Sequence, residues 1–324
     1  MANTLYKEPI QVGNLRLRNR IVMPPMATGK AEDGAPGEEM TEYYRQRAAG
    51  TGLVIVEHEY VMRQGMAHPG QLSMAADSVI PGYRKLTSAI HGEGAAVIAQ
   101  LNHAGFKAMD TGLPPAGPSV MPTKEGASEA MDLEQIRAVA AAFTAAAVRA
   151  KAAGFDGAEF HSAHGYLLNQ FYSPLTNHRE DEYSAKSMAN RTRLHREIIR
   201  AVRAAAGADF LIAIRFGACD YAENGSRIED IPEAVRAFES AGADLIDISG
   251  GVTGFMRPGH TEPGYLKELS LSAKAAVTVP IILTGGVTEA KDMEGLLQEG
   301  AADLIGIGRA LLKDPEWSVK ALRT

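Results

Sequence analysis

Ala241-Gly242-Ala243-Asp244-Leu245-Ile246-Asp247-Ile248-Ser249-Gly250-Gly251 condenses one structural unit: a helix stop, a short apolar run, and a small polar turn. Glycine after alanine permits the left-handed backbone that ends a helix. The following Leu245-Ile246-Asp247-Ile248 reads as a buried parallel strand, and Ser249-Gly250-Gly251 as the turn leaving it. The same opening recurs at Ala153-Gly154-Phe155-Asp156, Ala206-Gly207-Ala208-Asp209 and Glu299-Gly300-Ala301-Ala302-Asp303. A repeated helix stop and strand start identifies one βα unit used several times.

Working outward from these anchors, strands are expected at 20–23, 53–56, 96–101, 157–160, 210–215, 245–248, 281–283 and 304–307. Longer Ala-, Glu- and Arg-rich segments between them have the character of crossover helices. In the helix before the second anchor, Asp132 and Gln135 form a capping box, and Ile136, Val139, Ala140, Phe143 and Ala147 share one face. Residues 10–17 alternate about Gly13-Asn14 and read as a hairpin that closes the bottom of a barrel. The expected fold is therefore α/β: a (β/α)8 TIM barrel of eight parallel strands with a short N-terminal β-hairpin, one domain over residues 1–324. The triplet Gly306-Ile307-Gly308 begins like a dinucleotide fingerprint, but Leu311 stands at the third glycine position, which argues against a Rossmann site.

Composition narrows the function. The 324 residues are 45% hydrophobic and 22% charged, and 33 basic against 39 acidic side chains leave a net charge of −6. This excludes a disordered chain and disfavours nucleic acid or a membrane as partner. The N-terminal stretch 1–9 has no apolar core of a secretory signal, and a single cysteine, Cys219, allows neither an internal disulfide nor an iron–sulfur cluster. The expected setting is cytoplasmic.

Barrel chemistry gathers at the C-terminal strand ends. There the chain places Pro24-Pro25-Met26-Ala27, Glu57-His58, Gln100, His161-Ser162-Ala163-His164-Gly165-Tyr166, Arg215, Gly285-Gly286 and Gly308-Arg309. The last two pairs suit a phosphate, with tight strand-to-helix turns as the alternative. His161 and His164 can polarise an oxygen and Tyr166 can give a proton. Two readings compete: a zinc site drafting Glu57, His58 or His103, and structural histidines capping the next helix. Arg215 and Gln100, closing apolar runs, describe a pocket with an anionic end and a planar polar end.

Several of these stretches together resemble the old yellow enzyme family of FMN-dependent ene-reductases, in a short form without an iron–sulfur cluster. The stretches are 19–26, Gln100-Leu101-Asn102-His103-Ala104-Gly105, 155–168 followed by 171–177 and 179–183, and 305–312 with Asp314-Pro315. The resemblance implies that Pro24, Pro25, Met26, Ala27, His58, Gln100 and Arg215 surround the flavin ring, and that Gly285, Gly286, Gly308 and Arg309 hold its phosphate. It further implies that His161 and His164 bind the oxygen of an α,β-unsaturated carbonyl or nitro substrate, that Tyr166 protonates the α-carbon, and that NADH or NADPH is the reductant. No metal is implied, the partner is a small molecule, and a homo-oligomer is expected. Ala27 stands where relatives often carry cysteine or threonine. Phe106 replaces a commonly basic residue, and Ser184-Ala185 a glycine pair. Other flavin chemistry on the same barrel, a non-catalytic flavin-binding protein and a metal-dependent barrel hydrolase are the alternatives. Loops 109–131 and 255–265 are expected to flank the pocket.

Overall fold

A computed structural model describes residues 4–124 and 126–324; residues 1–3 of the N-terminal stretch lie outside the described residues. Eight parallel strands close into a barrel: β1 (Ile21–Met23), β2 (Leu53–Tyr60), β3 (Ala96–Asn102), β4 (Gly157–Ser162), β5 (Leu211–Cys219), β6 (Leu245–Gly250), β7 (Ile281–Thr284) and β8 (Leu304–Gly306). They pair in chain order, β8 pairs with β1, and β1 with β2, so no edge is left. Helices follow the strands: α1 (Glu38–Ala48), α2 (Ile80–Gly92), α3 (Leu133–Ala152), α4 (Arg193–Ala206), α5 (Ile231–Ala241), α6 (Lys267–Lys274), α7 (Ala290–Gln298) and α8 (Trp317–Arg323).

The helix-stop anchors have a physical basis. Gly154, Gly207, Gly242 and Gly300 all have positive φ, between +70° and +112°. Three of the following aspartates then hold the preceding strand. Asp156 accepts from Val97 N–H, Asp244 from Ile212 N–H and Asp303 from Ile281 N–H, at 2.8, 2.8 and 2.9 Å. Each carboxylate satisfies a donor at a strand start, where an unpaired N–H would be costly. Asp209 turns instead to Asn14 of the hairpin.

Strand alternation divides the apolar residues into two cores. One face of each strand packs under the helices. The other points down the barrel axis, where Val22, Leu53, Ile55, Ile98, Leu211, Ala213, Leu245, Ile282 and Leu304 form a separate cluster. The hairpin Ile10–Val12 and Leu15–Leu17 plugs its lower end with Val12 and Leu17. At roughly 1.5–3 kcal/mol for each large side chain fully buried, this plug stabilises the bottom and leaves chemistry to the top. The capping box of α3 forms, with Asp132 accepting from Gln135 N–H and Gln135 accepting from Asp132 N–H, both at 2.8 Å.

β3, β4, β6 and β7 run one or two residues past their expected ends, and two strands, β2 and β5, run four residues past. β5 continues to Cys219, with a bulge between Gly217 and Cys219. β2 continues to Tyr60, and its register against β3 shifts between Val56 and Glu59. That bulge sets two residues of β2 opposite Gln100, so Glu57 reaches Tyr44 and Thr28 while His58 faces the barrel mouth. Glu59 is fully buried on the helix side near Tyr83, and burial holds its carboxyl well above the usual range.

Because the folded chain keeps the Glu59 proton more readily than the unfolded chain, this stabilisation is complete below about pH 4 and is lost as pH rises. Glu59→Gln should therefore flatten the dependence of Tm on pH between about 5 and 9 and exceed the parent at the alkaline end. Calorimetry across that range checks it; a Tm difference independent of pH would assign the titration elsewhere.

Candidate active site

The inward alternation that fills the lower barrel with aliphatic side chains delivers polar ones above it. On β3, Ile98 is followed two residues on by Gln100. On β4, Glu159 is followed by His161; on β5, Ala213 by Arg215; on β6, Leu245 by Asp247 and Ser249. Register aligns these positions laterally: Gln100 opposite Glu159, His161 opposite Arg215, Arg215 opposite Asp247. Above this layer opens a cavity of about 540 Å³, within the range of small-ligand sites.

Every residue that the resemblance assigns to flavin or substrate lines this cavity: Pro24, Pro25, Met26, Ala27, His58, Gln100, His161, His164, Tyr166, Arg215, Gly285, Gly286, Gly308 and Arg309; Glu57 and His103, drafted for the zinc reading, do not. Loop 255–265 reaches it through Phe255 and Tyr265. The described residues of loop 109–131 do not, being folded into short strands beside Pro118 and Arg179. Ser249, Tyr265 and Thr284 were not singled out as site residues, although Ser249 lies at a strand end already read as polar. Glu159 and Asp247 beneath the cavity were also missed. Their signal was a charged residue at an inward position of an apolar strand.

The turn after β4 shapes one wall. His164 and Gly165 both have left-handed backbones, φ +58° and +71°. A side chain at 165 would also meet the Lys107 ammonium, 2.5 Å from its Cβ. Lys107 Nζ donates to the His164 carbonyl at 2.8 Å, and Gly165 N–H donates to Asn169 at 2.8 Å. The chain then enters the short helix Leu167–Tyr172, whose N-cap is Tyr166 without a side-chain cap, so neither histidine caps it. The His161 ring crosses those of His164 and Tyr166 at 87° and 80°, with centroids 5.0 Å apart in both pairs.

Electrostatics keep these groups neutral. Burial holds His161 and His164 well below the ordinary histidine range, reinforced for both by Arg215, His58 and Lys107. Burial lowers His58 to about 3 and raises the Tyr166 phenol. The wall therefore offers uncharged imidazole and phenol donors. Among the described residues no group of three or more His, Cys, Asp or Glu is arranged for a metal, and His103 is turned aside, accepting from Gly105 N–H.

Beneath the cavity, Gln100 donates through Nε2 to Glu159 at 2.7 Å, which leaves its amide oxygen for the cavity. Arg215 lies 3.3 Å from Asp247, yet among the described residues its buried Nε and Nη1 have no hydrogen-bond acceptor. Burial raises both Glu159 and Asp247, with Asp247 adding to the effect on Glu159 and Arg215 opposing it on each. At the far end, Gly286 has φ +72° and a Cβ there would lie 2.4 Å from Glu262 O. The buried Thr284 hydroxyl has no hydrogen-bond partner among the described residues, and a Cβ at 306 would sit 1.9 Å from it. Unpaired guanidinium N–H groups at one end and a glycine-built cradle at the other fit a planar, anion-bearing ligand such as FMN.

Comparison with known proteins agrees. The profile of the NADH:flavin oxidoreductase / NADH oxidase family matches residues 5–323. The chain is 39% identical over 323 residues to NADH oxidase of Thermoanaerobacter brockii, covering 96% of this chain but 50% of that protein, and so spans about half its length. It is 38% identical to NADPH dehydrogenase of Halalkalibacterium halodurans, covering 99% of this chain and 94% of the relative. Among solved structures, the old yellow enzyme homologue from Zymomonas mobilis superposes with a TM-score of 0.85 at 26% identity, covering 99% of this chain and 93% of the other. A (β/α)8 barrel with this mouth, matched over nearly its whole length, belongs to the NADH:flavin oxidoreductase / NADH oxidase family, the oxidoreductases of old yellow enzyme type that use FMN and NAD(P)H.

Proposed function

We propose that the chain reduces the activated C=C bond of α,β-unsaturated carbonyl or nitro compounds at the expense of NAD(P)H. The observation that carries this reading is the convergence of His161, His164 and Tyr166, all uncharged, on one wall of the cavity. Bound FMN would supply the hydride chemistry of the reaction, with NAD(P)H as its source of reducing equivalents.

The chain's own residues do the rest. Pro24, Pro25, Met26, Ala27 and His58 would border the flavin ring. Gln100 would accept from a ring N–H through the oxygen that Glu159 leaves free. Arg215 would place its unpaired N–H groups against ring positions that gain electron density. Gly285, Gly286, Gly308 and Arg309 would receive the phosphate. His161 and His164 would donate hydrogen bonds to the substrate oxygen, stabilising the charge that develops there as hydride arrives. Tyr166 would release its Oη proton to the α-carbon, and its raised affinity for that proton keeps the phenol intact until then. Phe255 and Leu312, both exposed at the mouth, offer apolar contact to the substrate body.

Three outcomes are expected. Purified protein incubated with FMN shows a bound-flavin spectrum that NADH or NADPH bleaches anaerobically and an enone restores; protein that stays colourless with FMN sinks the reading. Tyr166→Phe slows reoxidation by the enone about 100-fold while bleaching by NAD(P)H proceeds at the parent rate, as stopped-flow absorbance resolves. Glu159→Leu, which frees the Gln100 amide, weakens FMN binding about ten-fold by fluorescence titration, whereas Glu159→Gln, still offering a carbonyl, largely retains it.

A further inference from the structure

We infer that Ser249 is a positioning residue that fixes which ring nitrogen of His164 carries the proton. The inference rests on the reading of His161 and His164 as donors to a substrate oxygen. Ser249 closes the inward column of β6, is 2% exposed, and places Oγ 2.7 Å from His164 Nε2. Among the described residues that is the hydrogen bond this hydroxyl makes. If Nε2 carried the proton, the ring would donate to Ser249 and leave the serine O–H buried with no acceptor, at a cost of about 1–3 kcal/mol. If Ser249 donates, Nε2 accepts, both groups are satisfied, and the imidazole proton is confined to Nδ1.

The remaining contacts hold the ring for that exchange. His164 is in the left-handed region, its N–H donates to Gly250 O at 3.4 Å, and its carbonyl accepts from Lys107. Thus consecutive residues of β6, Ser249 and Gly250, hold the ring and the backbone of the same histidine. Among the described residues the hydrogen bond of its ring is the one through Nε2, and the residue lines the cavity.

His161 shows the opposite arrangement. Its buried Nδ1 has no partner among the described residues, and an orphaned lone pair is tolerated better than an orphaned N–H. Nε2 is then its protonated nitrogen. With the rings crossed at 87°, His164 presents Nδ1–H and His161 presents Nε2–H, and two donors meet one acceptor oxygen. A tautomer change at His164 would replace one donor by a lone pair facing the substrate's lone pairs. Ser249 thereby selects for an acceptor oxygen without touching it.

The test uses holoenzyme labelled with ¹⁵N-histidine, with long-range ¹H–¹⁵N correlation spectra separating the two tautomers and His164→Gln assigning the signal. Binding of 4-hydroxybenzaldehyde to the oxidised holoenzyme is followed by its long-wavelength absorbance. His164 protonated at Nδ1, a mixed population in Ser249→Ala with probe affinity about ten-fold weaker, and restoration of both by Ser249→Thr support the assignment. His164 protonated at Nε2 in the parent protein overturns it, a result that needs no variant to fold. So does Ser249→Ala that keeps the Nδ1 tautomer and the parent affinity. An Nδ1 tautomer that shifts in Ser249→Ala, in a protein that never binds the probe, upholds the positioning role and rejects the oxygen-donor reading of the site.

Discussion

Strand alternation on a closed parallel barrel is the constraint from which the rest follows. Every second side chain of each strand must point at a common axis, and closure through β8, β1 and β2 leaves those side chains nowhere else to go. An aliphatic residue at such a position joins the sealed plug above the hairpin; a polar residue one repeat higher joins the site. Fold stability and site composition are therefore written on the same columns of residues. Leu245, Asp247 and Ser249 on β6 pass from plug, to buried ion pair, to hydrogen bond on His164 within five residues.

The polar layer works because its charges are few and shared. Arg215 is the cation common to Asp247 below it and to the imidazoles beside it. It opposes the proton affinity of the carboxylates and helps keep both histidines neutral. A guanidinium that touches one carboxylate and still has buried N–H groups unpaired among the described residues is costly in an apolar interior, and an anionic or electron-rich ring bound there would relieve that cost. Neutral imidazoles would suit the proposed role of stabilising charge that develops on a substrate oxygen without binding anions indiscriminately.

The barrel was legible because its signals are local. A glycine that must adopt positive φ, an aspartate that must satisfy a strand-leading N–H, and short β-branched runs can each be read without knowing what lies across the molecule. The residues that line the cavity at strand ends were legible for the same reason, since a polar residue closing an apolar run marks the barrel mouth. The strand limits of β2 and β5 were not, because bulges at Glu57-His58 and at Gly217–Cys219 depend on how neighbouring strands register. Nor was the failure of loop 109–131 to reach the cavity, because loop paths depend on surface contacts.

The sequence by itself determined the barrel, its hairpin plug and the residue types gathered at its mouth, because periodicity and turn chemistry act between near neighbours. Only the tertiary structure decided that Glu159 orients the Gln100 amide, that Arg215 shares its charge with Asp247, and that Ser249 sits on His164 Nε2. These pairs are 59, 32 and 85 residues apart along the chain. They meet because lateral register in the closed sheet and the left-handed turn at His164 bring them within hydrogen-bond or ion-pair distance, a consequence of closure that no local pattern contains.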